Sequence, residues 1–255
     1  IGLNRLLAPY CPGLKDPNRD MAALIAGRFF EYINSLTHPV RTLGMAACAG
    51  DEEDWSVLRQ MGAILETPAL RIVYGDISSL HTAGEQVMLG GQKLDGLFRY
   101  YPLDWLAKGE KNRSLLTCLS SICGFNPPGA LIPQSKAFLA LVWQLLQEEY
   151  FTPVEKELIE SYLVPTYLAW PGRACIIKPY LEREGQGVLF SKGLTREELK
   201  RLDDKNMVYQ DLVDIKALDI ESYTSYSRCY QVVYPILGAF LVADQFAGLY
   251  TRLGA

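Results

Sequence analysis

The spacing of apolar residues divides the chain into segments before any chemistry is considered. In NRDMAALIAGRFFEYINSL, Met21, Leu24, Ile25, Phe29, Ile33 and Leu36 recur at helical spacing, with Asp20 in the N-terminal turn. VRTLGMAAC (Val40 to Cys48) is a short apolar run of buried-strand type. GDEEDWSVLRQMGAIL follows, with acids in its first turn and Trp55, Leu58 and Met61 on one side, which predicts a helix. ALRIVYGD is a second buried-type strand. This β-α-β order points to a small Rossmann-like unit. In EQVMLGGQKLDGLFRYY, Gly90-Gly91 stands between apolar runs and predicts a hairpin. The pair lacks the spacing of a Rossmann or Walker phosphate loop. YPLDWL (Tyr101 to Leu106) closes this half.

A second half starts near residue 110. FNPPGALIPQ, with Pro127, Pro128 and Pro133, predicts a rigid loop. SKAFLALVWQLLQEEY predicts a strong helix with Ser135 as N-cap and Phe138, Leu139, Val142, Leu145 and Leu146 as its apolar stripe. A strand over Ala174 to Lys178, a glycine-containing loop and a returning VLF strand come next. TREELKRL is a short charged helix, Asp203 and Asp204 form a solvated turn, and NMVYQDLV is another strand. YQVVYPILGAFLVADQFAGLYTRL gives strands joined by a turn near Ala243-Asp244-Gln245. Repeats and low-complexity linkers are not seen.

Composition narrows the class. The chain has 255 residues, 49% of them hydrophobic, enough for one large domain or two smaller ones. The formal net charge of −4 argues against a general nucleic-acid binder, although a local basic pocket for phosphates remains compatible with it. Cys11, Cys48, Cys118, Cys123, Cys175 and Cys229 are scattered, and only Cys118 and Cys123 are close. With His38 and His81 as the only histidines, a zinc site is not expected, and the thiols fit a reducing, cytoplasmic compartment. The first residues lack the pattern of a signal peptide. The longest apolar stretch, YQVVYPILGAFLVADQFAGLY, is interrupted by Pro235, Gly238 and Asp244, so no membrane span is expected. The start on Ile1 and the stop on TRLGA have the look of cuts through a longer protein.

CIIKPYLEREGQGVLF carries the first candidate chemistry. Two strands joined by a glycine-containing loop can fold over phosphates, because glycine permits close backbone approach and free N–H groups bind phosphate oxygens. Lys178 at the base of that hairpin would add a point charge against the same phosphates. By the pattern alone, a lysine at a strand end followed by a surface loop is more often structural than phosphate-binding.

FNPPGALIPQSKAFLALVWQL, IIKPYLEREGQGVLF, VYQDL and YPILGAFLVADQFAGLYTR occur in the order expected of a glutathionylspermidine synthase-like protein. EEDWSVLRQMGA and LFRYYPLDWLA also resemble segments of that family. The resemblance covers most of the chain and is clearest from Leu97 onward. It implies an α+β chain: an ATP-grasp domain over 110–255, truncated at its outer edges, and a preATP-grasp-like α/β unit with an N-terminal helix over 1–109.

The resemblance also implies roles. Lys136 and Lys178 match two lysines that contact nucleotide phosphates. Arg183, Glu184, Gly185, Gln186 and Gly187, in REGQGV, match a flexible loop that closes over ATP. Glu182 stands where the family usually has a small residue, which bears on the loop's detailed geometry. In VYQDL, Gln210 would bind the adenine edge through its side chain, and Asp211 and Leu212 through the backbone. The alternative is an ordinary strand with a solvent-facing glutamine. Arg252 matches a catalytic arginine facing the acyl phosphate. Tyr101, Asp104 and Trp105 are left outside the chemistry, as aromatic residues in such a motif are more often core.

The implied reaction is ATP-dependent amide formation, with ATP and Mg2+ as cofactors. In the family the acid is glutathione and the amine is spermidine, so small-molecule partners of those classes are implied. In the family the magnesium ligands come from an acidic segment with a Glu-x-Asn element, carried upstream of the region matched here. Asp51 to Asp54 are better taken as helix N-terminal charge, so the metal ligands stay unassigned and this chain by itself is expected to lack them. Two functions therefore remain open: a segment of an ATP-dependent carboxylate–amine ligase, or a non-catalytic ATP-grasp relative that binds nucleotide or a protein partner.

Overall fold

The computed structural model describes residue 13 and residues 15–109, 113–203, 205–223 and 228–254. Cys11 and Asp204 lie outside the described residues, as do the side chains of Asp203 and Cys229. The chain divides into two compact units. The first runs up to Asn126 and resumes at Ile215, and the second is Pro127–Asp214.

In the first unit, helix α1 (Met21–Ser35) leads into β1 (Thr42–Ala47), α2 (Glu52–Leu65) and β2 (Arg71–Asp76). A small antiparallel sheet follows, β3 (His81–Ala83), β4 (Gln86–Leu89) and β5 (Gln92–Lys93), and then β6 (Gly96–Arg99). Two short helices, Leu103–Ala107 and Arg113–Cys118, precede β7 (Cys123–Gly124). The main sheet has the order β2-β1-β6-β7, with every pair parallel. The Rossmann-like β-α-β order expected from the sequence is therefore present.

Alternation along β1 splits the core. Leu43, Met45 and Ala47 pack with Phe29, Ile33, Leu58 and Leu65 of α1 and α2. Ala46 belongs to the opposite layer, with Val73, Val87, Leu89, Leu94 and Leu97. Glycine at position 44 lets that layer approach, since a Cβ there would stand 2.5 Å from Leu94 Cδ1. Asp51 caps α2 by accepting from the Asp54 N–H at 3.1 Å. Asp20 stands at the N-cap of α1 but makes no side-chain capping bond.

The hairpin expected at Gly90-Gly91 forms between β4 and β5, but its second arm is only Gln92–Lys93. Gly96–Arg99 leaves that hairpin and pairs parallel with β1. The reason is burial: Gly96 and Leu97 are covered on both faces, as suits a central parallel strand.

The second unit opens not with a loop but with helical turns, Pro128–Ala130 and Leu131–Gln134. Pro128 and Pro133 fall in or near first-turn positions, where a missing N–H costs little, so they do not break the helix. Helix α3 (Lys136–Gln147) ends before Glu148, and Glu149 takes a positive φ of 56°. Its buried face differs from the expected stripe: Ala140 and Leu146 are buried, whereas Phe138 is exposed. A helix not foreseen, α4 (Pro153–Tyr162), starts with a reciprocal capping box between Thr152 and Glu155. Strands β8 (Thr166–Tyr167), β9 (Cys175–Pro179) and β10 (Leu189–Phe190), helix α5 (Arg196–Asp203) and strand β11 (Met207–Asp211) complete the unit. Asp203 thus ends a helix rather than forming a turn. The strands make one antiparallel sheet in the order β10-β9-β11-β8.

The first unit resumes with β12 (Leu218–Tyr223), β13 (Arg228–Val242) and β14 (Gln245–Gly254), an antiparallel sheet turning at Ala243-Asp244. The Asn18 side chain joins it to the chain's start. Its amide donates to the Leu249 carbonyl at 3.0 Å and accepts from the Leu249 N–H at 2.8 Å.

Candidate nucleotide-phosphate site

The β-rich Cys175-Ile176-Ile177 run makes β9, and its two-residue period decides where Lys178 points. Cys175 and Ile177, with Tyr209 of β11, pack against Leu199 of α5 in a closed cluster. Ile176 and Lys178 therefore face the other way. Lys178 is opposite Val208, Ile176 is opposite Gln210, and Gln210 is opposite Thr166. Lys178, Gln210 and Thr166 thus share one face across three adjacent strands.

Helix α3 brings the second lysine to the same place. Ser135 accepts from the Ala137 N–H at 3.3 Å, which starts the helix with Lys136 as its first residue. The Lys136 N–H donates to the Tyr180 carbonyl at 2.9 Å and ties the helix start to the end of β9. From there Lys136 Nζ donates to the Glu182 carbonyl at 2.6 Å, and Lys178 Nζ donates to Gln210 Oε1 at 2.6 Å. Both acceptors are uncharged oxygens. Burial lowers the Lys136 pKa, the like charges of Lys178 and Arg183 lower it further, and Glu182 opposes them. Burial lowers the Lys178 pKa as well. Two ammonium groups are thus held close together in partial burial, where a multiply charged anion would relieve both.

The connecting loop is built from tight turns. The Gln186 N–H donates to the Arg183 carbonyl at 3.0 Å, and the Val188 N–H donates to the Gly185 carbonyl at 3.2 Å. Glu184, Gly185 and Gly187 have φ of 53°, 77° and 68°. At Gly187 the left-handed conformation coincides with a close approach, because a Cβ would lie 2.8 Å from Pro179 Cγ. Glu184 to Gly187 are exposed and Arg183 is half-buried. Glu182 takes part through its carbonyl, a role that any residue type at that position could fill.

Gln210 and Asp211 point to opposite faces of the sheet. The Gln210 amide lies between Lys178 and Thr166, donating to Thr166 Oγ1 at 3.0 Å. Asp211 accepts from Arg173 twice, Nε to Oδ1 at 3.0 Å and Nη2 to Oδ2 at 2.7 Å. The Arg173 guanidinium also lies 5.4 Å from the Tyr167 ring centre and donates to its hydroxyl at 2.6 Å. Asp211 is the main cause that holds the Arg173 pKa above its ordinary value. The Asp211 N–H donates to the Pro165 carbonyl at 2.9 Å, and Leu212 beyond the strand is exposed.

Lys136, Lys178, Gln210 and the 183–187 loop are therefore gathered in the second unit. Arg252 is carried by the first, exposed on β14 opposite Ile236. Its charge acts there on Tyr100, whose pKa is raised by burial first and then by Asp54 and Glu53, with Arg252 opposing. Trp105 and Tyr101 stack edge to face at 5.8 Å, and Asp104 partly offsets the burial that lowers the Arg99 pKa. Thr166, Trp143 and Arg173 were not anticipated. Their partners lie 44, 21 and 38 residues away, so local patterning carried no signal for them.

Among the described residues, no three His, Cys, Asp or Glu side chains gather as a metal cluster. The described cysteines are free, with Cys48 exposed, Cys118 and Cys123 half-buried and Cys175 buried. No described helix is long and apolar enough to cross a membrane.

Known proteins resemble this chain. A Haemophilus influenzae protein named "Putative acid--amine ligase" is 26% identical over 176 residues, which covers 65% of this chain and 39% of that protein. The apo structure of a glutathione synthetase-like effector from Globodera pallida superposes with a TM-score of 0.57 at 12% identity, covering 91% of this chain and 59% of that one. It shares the fold. A D-alanine–D-alanine ligase from Bacillus anthracis aligns with a TM-score of 0.42 at 13% identity, over 84% of this chain and 71% of its own. The chain thus spans about two-fifths of the curated relative and three-fifths of the glutathione synthetase-like structure. The family model for the glutathionylspermidine synthase preATP-grasp matches residues 16–255, almost the whole length, and the chain belongs to that family.

Proposed function

We propose that the chain supplies the nucleotide-phosphate site of an ATP-dependent carboxylate–amine ligase. One observation carries this reading: Lys136 and Lys178, from separate elements, each donate to a neutral oxygen, and the charge of one acts on the other, with the glycine-containing turn following Lys178 in the chain. Two partly desolvated cations, neither in a salt bridge among the described residues, suit a polyphosphate. The family membership supplies the reaction class.

In the proposed reaction a substrate carboxylate oxygen attacks the γ-phosphorus of ATP, ADP departs, and an acyl phosphate forms. An amine nitrogen then attacks the acyl carbon, inorganic phosphate leaves with the C–O bond electrons, and the nitrogen loses a proton to give the amide. Lys136 and Lys178 would bind and orient the phosphates, the 183–187 loop would cover them and exclude water, and Gln210, Asp211 and Leu212 would border the base. Arg252 would stabilise negative charge on the acyl phosphate and the tetrahedral intermediate. A glutathione-like acid and a polyamine-like amine are the proposed substrates. The proposed functional division, 1–109 as preATP-grasp-like and 110–255 as ATP-grasp, crosses the compact units because the β13–β14 hairpin packs beside α1. Magnesium would neutralise the triphosphate when bound.

Calorimetry with ATP, with and without magnesium, tests the reading. Saturable ATP binding that Lys178→Ala abolishes in a folded protein supports it, and unchanged affinity in that variant overturns it. Binding without amide formation across a panel of acids and amines in the full-length protein would favour a binding-only relative.

A further inference from the structure

We propose that Thr166 is a positioning residue for Lys178, acting through the Gln210 amide. The argument is one of hydrogen-bond direction. The Val164 carbonyl accepts from Trp143 Nε1 at 3.0 Å and from the Thr166 hydroxyl at 2.9 Å. A hydroxyl has one proton, and Thr166 directs it to Val164. Toward Gln210, Thr166 Oγ1 can then only accept, which draws the Gln210 NH2 group to it at 3.0 Å. The amide carbonyl must consequently face Lys178, and it receives the Lys178 ammonium at 2.6 Å. An ammonium only donates, so the amide orientation is determined identically from both ends.

The register makes this arrangement possible. Thr166 stands opposite Gln210 on β8 and β11, and Lys178 lies on the same face of β9. Thr166 is 1% exposed, so water does not compete for its hydroxyl. Trp143 extends the chain to α3, the helix whose first residue is Lys136. The charged groups that act on Lys136 are Lys178 itself and Arg183 and Glu182 of the loop, and burial alone lowers the Lys178 pKa. Without the Thr166 acceptor the Gln210 amide is free to turn, and Lys178 loses the oxygen that stabilises its charged form.

The functional meaning rests on the nucleotide-site reading, but the relay can be tested without nucleotide. Lysine Nζ and Cε resonances of the whole chain are titrated by NMR, with Lys178 assigned through Lys178→Arg. Thr166→Val should move the Lys178 titration to lower pH than in the parent chain, and Thr166→Ser, which keeps the hydroxyl, should restore it. A purely structural threonine would leave Lys178 unmoved in a folded Thr166→Val protein, and that result overturns the proposal. Gln210→Leu removes the same acceptor at a half-buried position and guards against misfolding at Thr166. It should lower the Lys178 titration by itself, and adding Thr166→Val should then change nothing further. An additional shift in the double variant would show that Thr166 acts by another route and overturn the relay. Where the parent chain binds ATP, Thr166→Val should weaken binding about three- to tenfold, the worth of one hydrogen bond. A parent chain that binds no ATP while the titrations behave as expected would defeat the nucleotide reading and leave the relay standing.

Discussion

At the scale of single residues, Lys136 and Lys178 cost the protein stability. A lysine with a lowered folded-state pKa binds its proton less tightly than in the unfolded chain. The penalty is fully present below the folded value and fades as pH rises through it toward the ordinary 10.5. Lys178→Met should therefore stabilise the folded chain at neutral pH while removing ATP binding. Urea denaturation beside calorimetry checks both halves, and a destabilised variant would contradict the first. Ligand binding reverses the pKa shift, because a phosphate favours the charged form. ATP binding in alkaline buffer, just below pH 10.5, should be accompanied by proton uptake. Calorimetry in buffers of different ionisation enthalpy measures it, and zero uptake would mean that neither lysine meets the phosphates. Lys178 was legible in the sequence because its strand, the following glycines and its own charge are contiguous. Thr166 was not, since its meaning comes from Gln210 across a strand pairing that no local window contains.

Among elements, the turn between β9 and β10 depends on glycine in two distinguishable ways. Gly185 and Gly187 both have positive φ, but only Gly187 also lies against Pro179. Gly185→Ala should cost about 1 kcal/mol through backbone strain alone, whereas Gly187→Ala should cost more and shift the loop, with the larger loss of ATP affinity. Equal effects in denaturation and binding experiments would deny the Pro179 contact its importance. Helix α4 offers a separate test. Thr152→Ala removes half of its capping box and should destabilise the chain by about 1 kcal/mol, with ATP affinity unchanged. The Thr-Pro-Val-Glu start of that helix was written openly in the sequence, in the form of a capping signature followed by proline at the first position. Periodicity found α1, α2 and α3 because each has an apolar face against a sheet. It missed α4, whose only buried residue is Ile159. The parallel pairing of Gly96–Arg99 was hidden for another reason: adjacency along the chain suggested the hairpin, and burial on both faces prevailed.

For the whole molecule, the prominent surface is the β13–β14 hairpin. Tyr230, Ile236, Leu237 and Leu241 are exposed by 73%, 58%, 69% and 68%, and Ile236 and Leu237, being consecutive, lie on opposite faces. Apolar surface of this extent promotes association. The isolated chain should self-associate with increasing concentration in sedimentation velocity, and Leu237→Lys should reduce it. Concentration-independent monomers in the parent chain would contradict that expectation.

The first unit is also made from two separated stretches of chain, with Pro127–Asp214 between them. During synthesis the order of emergence becomes a constraint. The second unit is fully translated while β12, β13 and β14 do not yet exist, so the lysine-bearing sheet can finish folding before the parallel-sheet unit receives its last strands. The Asn18–Leu249 clasp must then wait for a partner made 231 residues later. A ribosome stalled just after the second unit has emerged would carry a completed lysine pair beside an unfinished neighbour.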